Sequence, residues 1–499
     1  MRYLFIILLG IYGCSTPKEA HTPLPNIIII YADDLGFGDI GINGAKGVET
    51  PNIDFLARNG VNHLDAHCSA ATCTPSRYSL LTGSYAFRNN AAVLPGDAPL
   101  IIDPQRGTLP SMLKEAGYTT GVIGKWHLGL GIGKVDWNKE ITPGPREIGF
   151  DYSFLIPATG DRVPCVFVEN QKVVGLEEED PITVNYSDRL DDYPVGLDHP
   201  EMLKQQADPQ HSKTIINGVS RIGYMSGGEK ALWKDEEFPF ILIDKARDFM
   251  SRNQKKPFFL YFSFHDIHVP RIPNKQFVGK SSMGPRGDAI AQMDWCVGEL
   301  VDYLRENEML DNTLIIFSSD NGPVLDDGYE DQAVEMLGMH QPAGPFRGAK
   351  YSAYEAGTRM PTIVHWPGKV NKGNSTAVLS QVDLYASLAR LTGSEVKEDD
   401  APDSEDFLEA WLGQTNKGRD VLVEESFTLA IRKGDWKYIQ PQQRPTPEWL
   451  KNKEVESGLS SDDQLYNLKD EPSETTNLAP QYPEKVEEMS LELKGIIER

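Results

Sequence analysis

Cys73-Thr74-Pro75-Ser76-Arg77 sets a thiol a short distance ahead of a guanidinium, and the run continues through Tyr78 to Gly83. Proline suits the first turn of a helix, because its φ is already helical and its missing N–H would go unpaired there. Glycine closes helices in the left-handed conformation. The spacing predicts a short helix ending at Gly83, with Cys73 just ahead of it, facing backbone N–H groups and the positive end of the helix dipole. A nucleophile or an anion is favoured at such a place, and Arg77 falls on the same face one turn along. Taken alone, these residues also read as a buried cysteine ahead of an ordinary helix.

Two further stretches end in oxygen ligands. Pro25 to Ala32 is an apolar run of strand length, of the kind covered by helices on both faces, and it stops at Asp33-Asp34-Leu35-Gly36. Asn312 to Ser319 repeats the pattern and stops at Asp320-Asn321-Gly322. Open α/β sheets place ligands beyond the carboxyl ends of their strands. Side by side, the two strands would gather three carboxylates and an amide, and carboxylates crowd together only around a cation. All-oxygen ligation selects a hard ion, Ca2+ or Mg2+ over zinc. Singly, each turn is also an ordinary solvated one.

Ala71 through Gly83 resembles the first signature of the formylglycine-dependent sulfatases. Gly117-Tyr118-Thr119-Thr120-Gly121-Val122-Ile123-Gly124-Lys125-Trp126-His127-Leu128-Gly129 resembles the second. The likeness runs from about Asn26 to the stretch Asp463 to Leu468. It implies that a formylglycine-generating or anaerobic sulfatase-maturing enzyme oxidises Cys73 to formylglycine (3-oxoalanine). It implies one Ca2+, held by Asp33, Asp34, Asp320, Asn321 and the modified Cys73. By the same resemblance a hydroxyl of modified Cys73 attacks sulfur, Asp320 takes its proton, and Arg77 helps hold the nucleophile as an oxyanion. Lys125, Lys350 and His268 surround the sulfate, His268 or Lys350 protonates the leaving alcohol, and His127 then deprotonates the second hydroxyl to expel sulfate. Thr159 matches a hydroxyl residue that touches the modified cysteine, and His265 stands behind His268. Asp161 and Arg162 read as substrate contacts or as a structural pair. His211 and Arg221, in a polar excursion from Gly175 to Phe238 that reads as a pocket wall, and His340 further on, are candidate substrate contacts.

The implied substrate is a sulfated oligo- or polysaccharide: fragments of an algal polysaccharide such as ulvan or carrageenan, or glycosaminoglycan pieces. Two rivals are set beside this reading. One is a phosphomonoesterase or phosphonate hydrolase of the same superfamily, which the Cys-x-Pro-x-Arg motif disfavours; the other is a glycan-binding lipoprotein with a lapsed active site.

The elements that must position these residues alternate. Pro51 to Gly60 and Thr108 to Gly117 read as helices, and Thr119 to Ile123 as the strand delivering Lys125 and His127. Pro239 to Arg252 reads as a helix and Lys256 to Phe264 as an interior strand opening onto His265 and His268. With the resemblance, this rhythm predicts an α/β fold. An alkaline-phosphatase-like catalytic domain over 24–395 has a mostly parallel sheet sandwiched by helices. A small C-terminal α+β domain over 396–499 has an antiparallel sheet, from strands near Val421, Thr428 and Trp436, and a final helix from Pro483. Gln440 to Asp463 is a proline- and charge-rich insertion to which no role is assigned.

A hydrophobic fraction of 40% with 24% charged residues fits a soluble globular chain, and a net charge of −24 excludes nucleic acid as a partner. Met1-Arg2 and the apolar run Tyr3 to Tyr12 form a leader too short to span a bilayer. Ile11-Tyr12-Gly13-Cys14 resembles a bacterial lipoprotein box, so the expectation is export to the periplasm or outer membrane and cell surface, with lipid on Cys14 as the only membrane contact. An ordinary secretory cleavage near Cys14 is the alternative. The 5 cysteines do not make a disulfide framework, and a Cys68–Cys165 bridge stays open.

Overall fold

The apolar run that ends at Asp33 is a fully buried strand in the computed structural model, which describes residues 24–499 apart from 191, 452 and 454. The leader and Cys14 lie outside the described residues. That strand, β1 (Asn26–Ala32), belongs to a 10-stranded sheet with β2 (Val61–His63), β3 (Thr119–Lys125), β4 (Tyr152–Ile156), β5 (Val168–Glu169) and β6 (Lys172–Val173). β7 (Phe258–Ser263), β8 (Thr313–Ser319), β9 (Thr362–His365) and β10 (Gly373–Ser375) complete it. The order is β10-β2-β9-β8-β1-β7-β3-β4-β5-β6. The middle strands β8, β1, β7, β3 and β4 run parallel, and β9 and β5 join them antiparallel. Burial on both faces explains their unbroken apolar sequences.

The helices form two layers. α1 (Pro51–Arg58), α4 (Phe238–Arg252) and α5 (Gly284–Glu306) pack on one another, and so do α2 (Cys73–Thr82), α3 (Leu109–Glu115) and α6 (Leu384–Thr392). Tyr31 reaches Ser76 of α2, while Gly121, on the opposite face by register, abuts Phe249 of α4. The longest helix among the described residues, α5, is absent from the sequence reading. It opens on Gly284-Pro285-Arg286-Gly287, residues that normally punctuate loops, and is held by tertiary burial of Ile290, Met293, Val297, Leu300 and Leu304.

Near the C-terminus, β11 (Val421–Glu425), β12 (Leu429–Lys433), β13 (Trp436–Ile439) and β14 (Gln464–Asn467) make an antiparallel sheet in that order. The helix Pro483–Ile497 lies on it, burying Met489 and Leu493 against Val423, Ile431 and Tyr438. Lys437 of β13 meets Glu424 of β11 at 3.0 Å and, outside this sheet, Glu355 of the turn Glu355–Gly357 at 3.2 Å, all three side chains buried. Cys68, Cys73, Cys165 and Cys296 are buried and unpaired, so no Cys68–Cys165 bridge forms. No helix among the described residues is long and apolar enough to cross a membrane.

One core group makes stability depend on pH. His63, on β2, has a ring nitrogen 3.1 Å from the Trp411 carbonyl oxygen, and burial pulls its pKa down to about 4. The unfolded chain protonates near pH 6.5 and the folded one does not, so stability is full above that value and falls as pH drops toward 4. The slope approaches about 1.4 kcal/mol per pH unit for one such group. Chemical unfolding from pH 7 to 5 is expected to show this loss, and His63→Gln to reduce the slope by up to about 1.4 kcal/mol per pH unit; an unchanged slope in the variant would remove His63 from the account.

Candidate active site

Strand pairing creates the site. β1 and β8 are neighbours in parallel register, Ala32 beside Ser319, so the residues that follow each strand emerge together. Asp33, Asp34 and Asp320 are fully buried, and each offers an oxygen within 4.8 Å of the others. Asp34 takes φ 60, a left-handed conformation uncommon outside glycine, and its side chain accepts from Asn321 Nδ2 at 2.7 Å.

Each carboxylate has a cationic partner. Lys125 Nζ sits 2.7 Å from both Asp33 oxygens, and Arg77 meets Asp320 Oδ2 through Nε at 2.9 Å and Nη2 at 2.6 Å. Lys350 Nζ reaches Asp34 at 2.9 Å and Asp327 at 3.0 Å. Burial pushes Asp34 up to about 6 despite Lys350, because Asp33 and Asp320 repel its charge. Burial also opposes ionisation of Asp33, but Lys125 and its other cationic neighbours hold that carboxyl well below the usual range. Gly124, at φ 106, lets β3 pass close enough to place Lys125 here; a Cβ would strike the Ser263 carbonyl oxygen.

Cys73 is the first residue of α2, which Gly83 ends at φ 62. The thiol is 2% exposed, and burial raises its pKa in spite of Lys125 and Lys350. As a thiol it is therefore a weak nucleophile. Its Sγ lies 3.2 Å from His127 Nδ1, while His127 Nε2 is 2.9 Å from the Leu94 carbonyl oxygen. A carbonyl only accepts, so Nε2 carries the proton and Nδ1 faces Cys73 bare. Burial and the charges of Lys125 and Arg162 keep the ring neutral. His127 sits at φ 52 and Tyr351, beside Lys350, at φ 72, so the left-handed conformation recurs around this centre.

A sulfatase family model matches residues 25–158 and 180–394. A Bacteroides thetaiotaomicron N-acetylgalactosamine-6-O-sulfatase is 52% identical over 493 residues, covering 97% of this chain and 96% of that protein. The N-acetylgalactosamine-6-sulfatase of Canis lupus familiaris is 30% identical, covering 86% and 73%. A solved structure from work on the metabolism of multiple glycosaminoglycans by Bacteroides thetaiotaomicron superposes at a TM-score of 0.94, with 51% identity, over 96% of this chain and 100% of that one. The chain belongs to the sulfatase family.

Sulfatases of this family generally depend on formylglycine and a metal ion. The donor set of this sulfatase fits a hard cation. Besides the three carboxylates, Asn321 Oδ1 is buried and has no hydrogen-bond partner among the described residues, an uncompensated oxygen of the kind an ion satisfies.

The centre opens into a cavity of about 640 Å³. Of the side chains singled out from sequence, Cys73, Asp161, Arg162, His211, His268 and Lys350 line it. Arg162 pairs with Asp161 at 3.0 Å, and His211 lies 3.5 Å from the same carboxylate while meeting Asp208 at 2.7 Å. Three of the named side chains are not among those that line it. Thr159 bonds Asp161 and accepts from Arg162 at 2.7 Å, supporting that pair from outside the cavity lining. Arg221 is fully buried and forked onto Asp235 at 2.8 and 2.9 Å, away from the cavity. His340 bonds Asp39 at 2.7 Å, which Arg286 also grips, and does not line the cavity either. Both are structural polar cores, because a buried charge is stable only when paired.

The cavity of this sulfatase is also lined by residues that sequence reasoning missed. Asp327 and Lys453 line the cavity, as do Phe427 from the β11–β12 turn and Trp449 and Arg444 from the insertion. Asp327 follows the Asp320-Asn321 pair closely enough to have been noticed. Nothing local marks the other four, which reach the cavity only through tertiary packing.

Proposed function

We propose that this sulfatase removes a 6-O-sulfate from an N-acetylated hexosamine, N-acetylgalactosamine above all, in a sugar or short glycan, and that it uses formylglycine at position 73 and one Ca2+. The printed activity of the 52% identical relative supports the sugar and the position, and turns the expectation from algal polysaccharide toward glycosaminoglycan-type substrates. The observation that carries the chemistry is the bare Nδ1 of His127 at 3.2 Å from the Cys73 side chain.

Oxidised and hydrated, residue 73 would supply an oxygen nucleophile; Asp33, Asp34, Asp320 and Asn321 would hold the Ca2+, which when bound would supply Lewis-acid stabilisation of negative charge. The protein's own groups do the rest. His127 Nδ1 takes a proton from the residue 73 side chain, and the Leu94 carbonyl holds the ring in the tautomer that allows it. Arg77 fixes Asp320 from two donors, so that carboxylate stays aimed at the centre. Lys125 and Lys350 bring positive charge to where the sulfate oxygens gain negative charge. Of the two candidates for protonating the leaving alcohol, Lys350 holds its proton in the resting enzyme. His268 does not: burial and the nearby Lys350 keep it neutral. Export, with lipid on Cys14, and oxidation of Cys73 by a maturing enzyme complete the proposal.

Sulfate release by the matured protein tests it, with N-acetylgalactosamine 6-sulfate, N-acetylglucosamine 6-sulfate, carrageenan and ulvan oligosaccharides and an aryl phosphate side by side. The first is expected to be turned over at least about tenfold faster than the algal fragments. Faster release from carrageenan or ulvan would overturn the substrate, and phosphate release alone would overturn the reaction.

A further inference from the structure

The insertion 440–463 lies across the loop that carries Lys350. Arg347 Nε donates to Glu456 Oε2 at 2.6 Å, Ser352 Oγ to the Glu456 carbonyl at 2.6 Å, and Ala353 N to the Ser457 carbonyl at 2.8 Å. One helical turn, Glu448–Lys451, seats Trp449 edge-on against Tyr351 with ring centroids 5.0 Å apart, and against Phe427 at 6.0 Å. This seating brings Lys453 Nζ to 2.7 Å from Asp327 Oδ1. The other oxygen of Asp327 takes Lys350 Nζ at 3.0 Å and the Tyr351 hydroxyl at 3.1 Å. Lys453 is buried and meets no acceptor besides Asp327 among the described residues.

Lys350 is thus caught between two carboxylates, Asp34 at 2.9 Å and Asp327 at 3.0 Å. An ammonium so placed has little charge left for a third anion. A second ammonium on the far oxygen of Asp327 offsets one of those carboxylates. We propose that Lys453 is a positioning residue for sulfate-ester hydrolysis: by holding Asp327 from the outer side, it keeps Lys350 available to the sulfate. The insertion is then a clamp on the active site. This inference rests on the reading above, in which Lys350 faces the sulfate.

The test is a double-mutant cycle on matured protein, with N-acetylgalactosamine 6-sulfate and p-nitrophenyl sulfate as probes. kcat, KM and the melting temperature are measured for Lys453→Met, Lys453→Arg, Asp327→Asn and the Asp327→Asn/Lys453→Met pair. Lys453→Met is expected to lower kcat by about 10- to 100-fold with KM little changed, and Lys453→Arg to recover most of the loss. In the Asp327→Asn background, Lys453→Met should cost almost nothing further, because the charge it offsets is gone. Equal losses in both backgrounds, a raised KM with unchanged kcat, or no loss at all would each overturn the proposal. If Lys453→Met fails to fold, the neutral Lys453→Gln takes its place in the cycle, and a Lys453→Arg variant as impaired as Lys453→Gln overturns it. A wild-type protein that cleaves neither ester would take down the sulfatase chemistry itself, whereas an additive cycle in an active enzyme takes down only this coupling.

Discussion

Cys73→Ala is expected to lower sulfate-ester turnover by at least about 10⁴-fold, the scale on which removal of an enzyme's nucleophile acts. The fold should barely notice. The side chain is small, its one hydrogen-bond partner among the described residues is His127, and α2 is otherwise held by Tyr78, Leu80 and Leu81 in the core. A loss of about 1 kcal/mol or less corresponds, in a chain of this length, to about one degree in melting temperature. Cys73→Ser keeps an oxygen at that place yet offers a single hydroxyl where the proposed chemistry uses two, so it should be nearly as inactive. The measurement pairs initial rates with the mass of the peptide containing residue 73, which separates an unmodified enzyme from a catalytically dead one. Full activity in either variant would end the case for chemistry at this position.

Arg77→Ala should abolish turnover and also destabilise the protein, which distinguishes it from Cys73→Ala. Arg77 is fully buried and donates to Asp320, Ser263, Tyr261 and the Lys125 carbonyl. Its removal leaves Asp320 buried beside Asp33 and Asp34 with its main counter-charge gone. Breaking a buried pair in this way costs about 3–5 kcal/mol, which for a chain of this length is about 3–5 °C in melting temperature. Arg77→Lys restores the charge without the fork, so it should recover part of the stability and little of the rate. An unchanged melting temperature in Arg77→Ala would show that Asp320 finds other compensation, and the electrostatic account of this centre would fail.

The four oxygen-bearing groups were legible because each pair ends an apolar run, and such runs in an α/β chain lie at the middle of the sheet, where neighbouring strand ends converge. Lys125 and His127 were legible through the second signature. Charge alone misled. Arg221 and His340 looked available because a sequence displays a basic side chain without its counter-charge; Asp235 lies 14 residues away from one and Asp39 lies 301 from the other. Lys453 and Trp449 failed in the opposite sense. Their neighbours are prolines and charges with no periodicity, and only the docking of that segment on Tyr351 gives them a place. α5 was missed because glycine and proline at its start outweigh, in a local reading, the burial that tertiary packing supplies.

The reactive side chain at position 73 lies at the start of a buried helix with almost none of its surface open to solvent. A sugar sulfate can enter the cavity of about 640 Å³ that Cys73 lines, but another protein's catalytic groove cannot close around a side chain so buried. Any enzyme that alters Cys73 must therefore meet it while residues 71–83 are still an extended peptide, before β8 adds some 240 residues later in the chain. On the function proposed, oxidation of Cys73 comes first and folding second. A copy that folds unedited is locked out of repair.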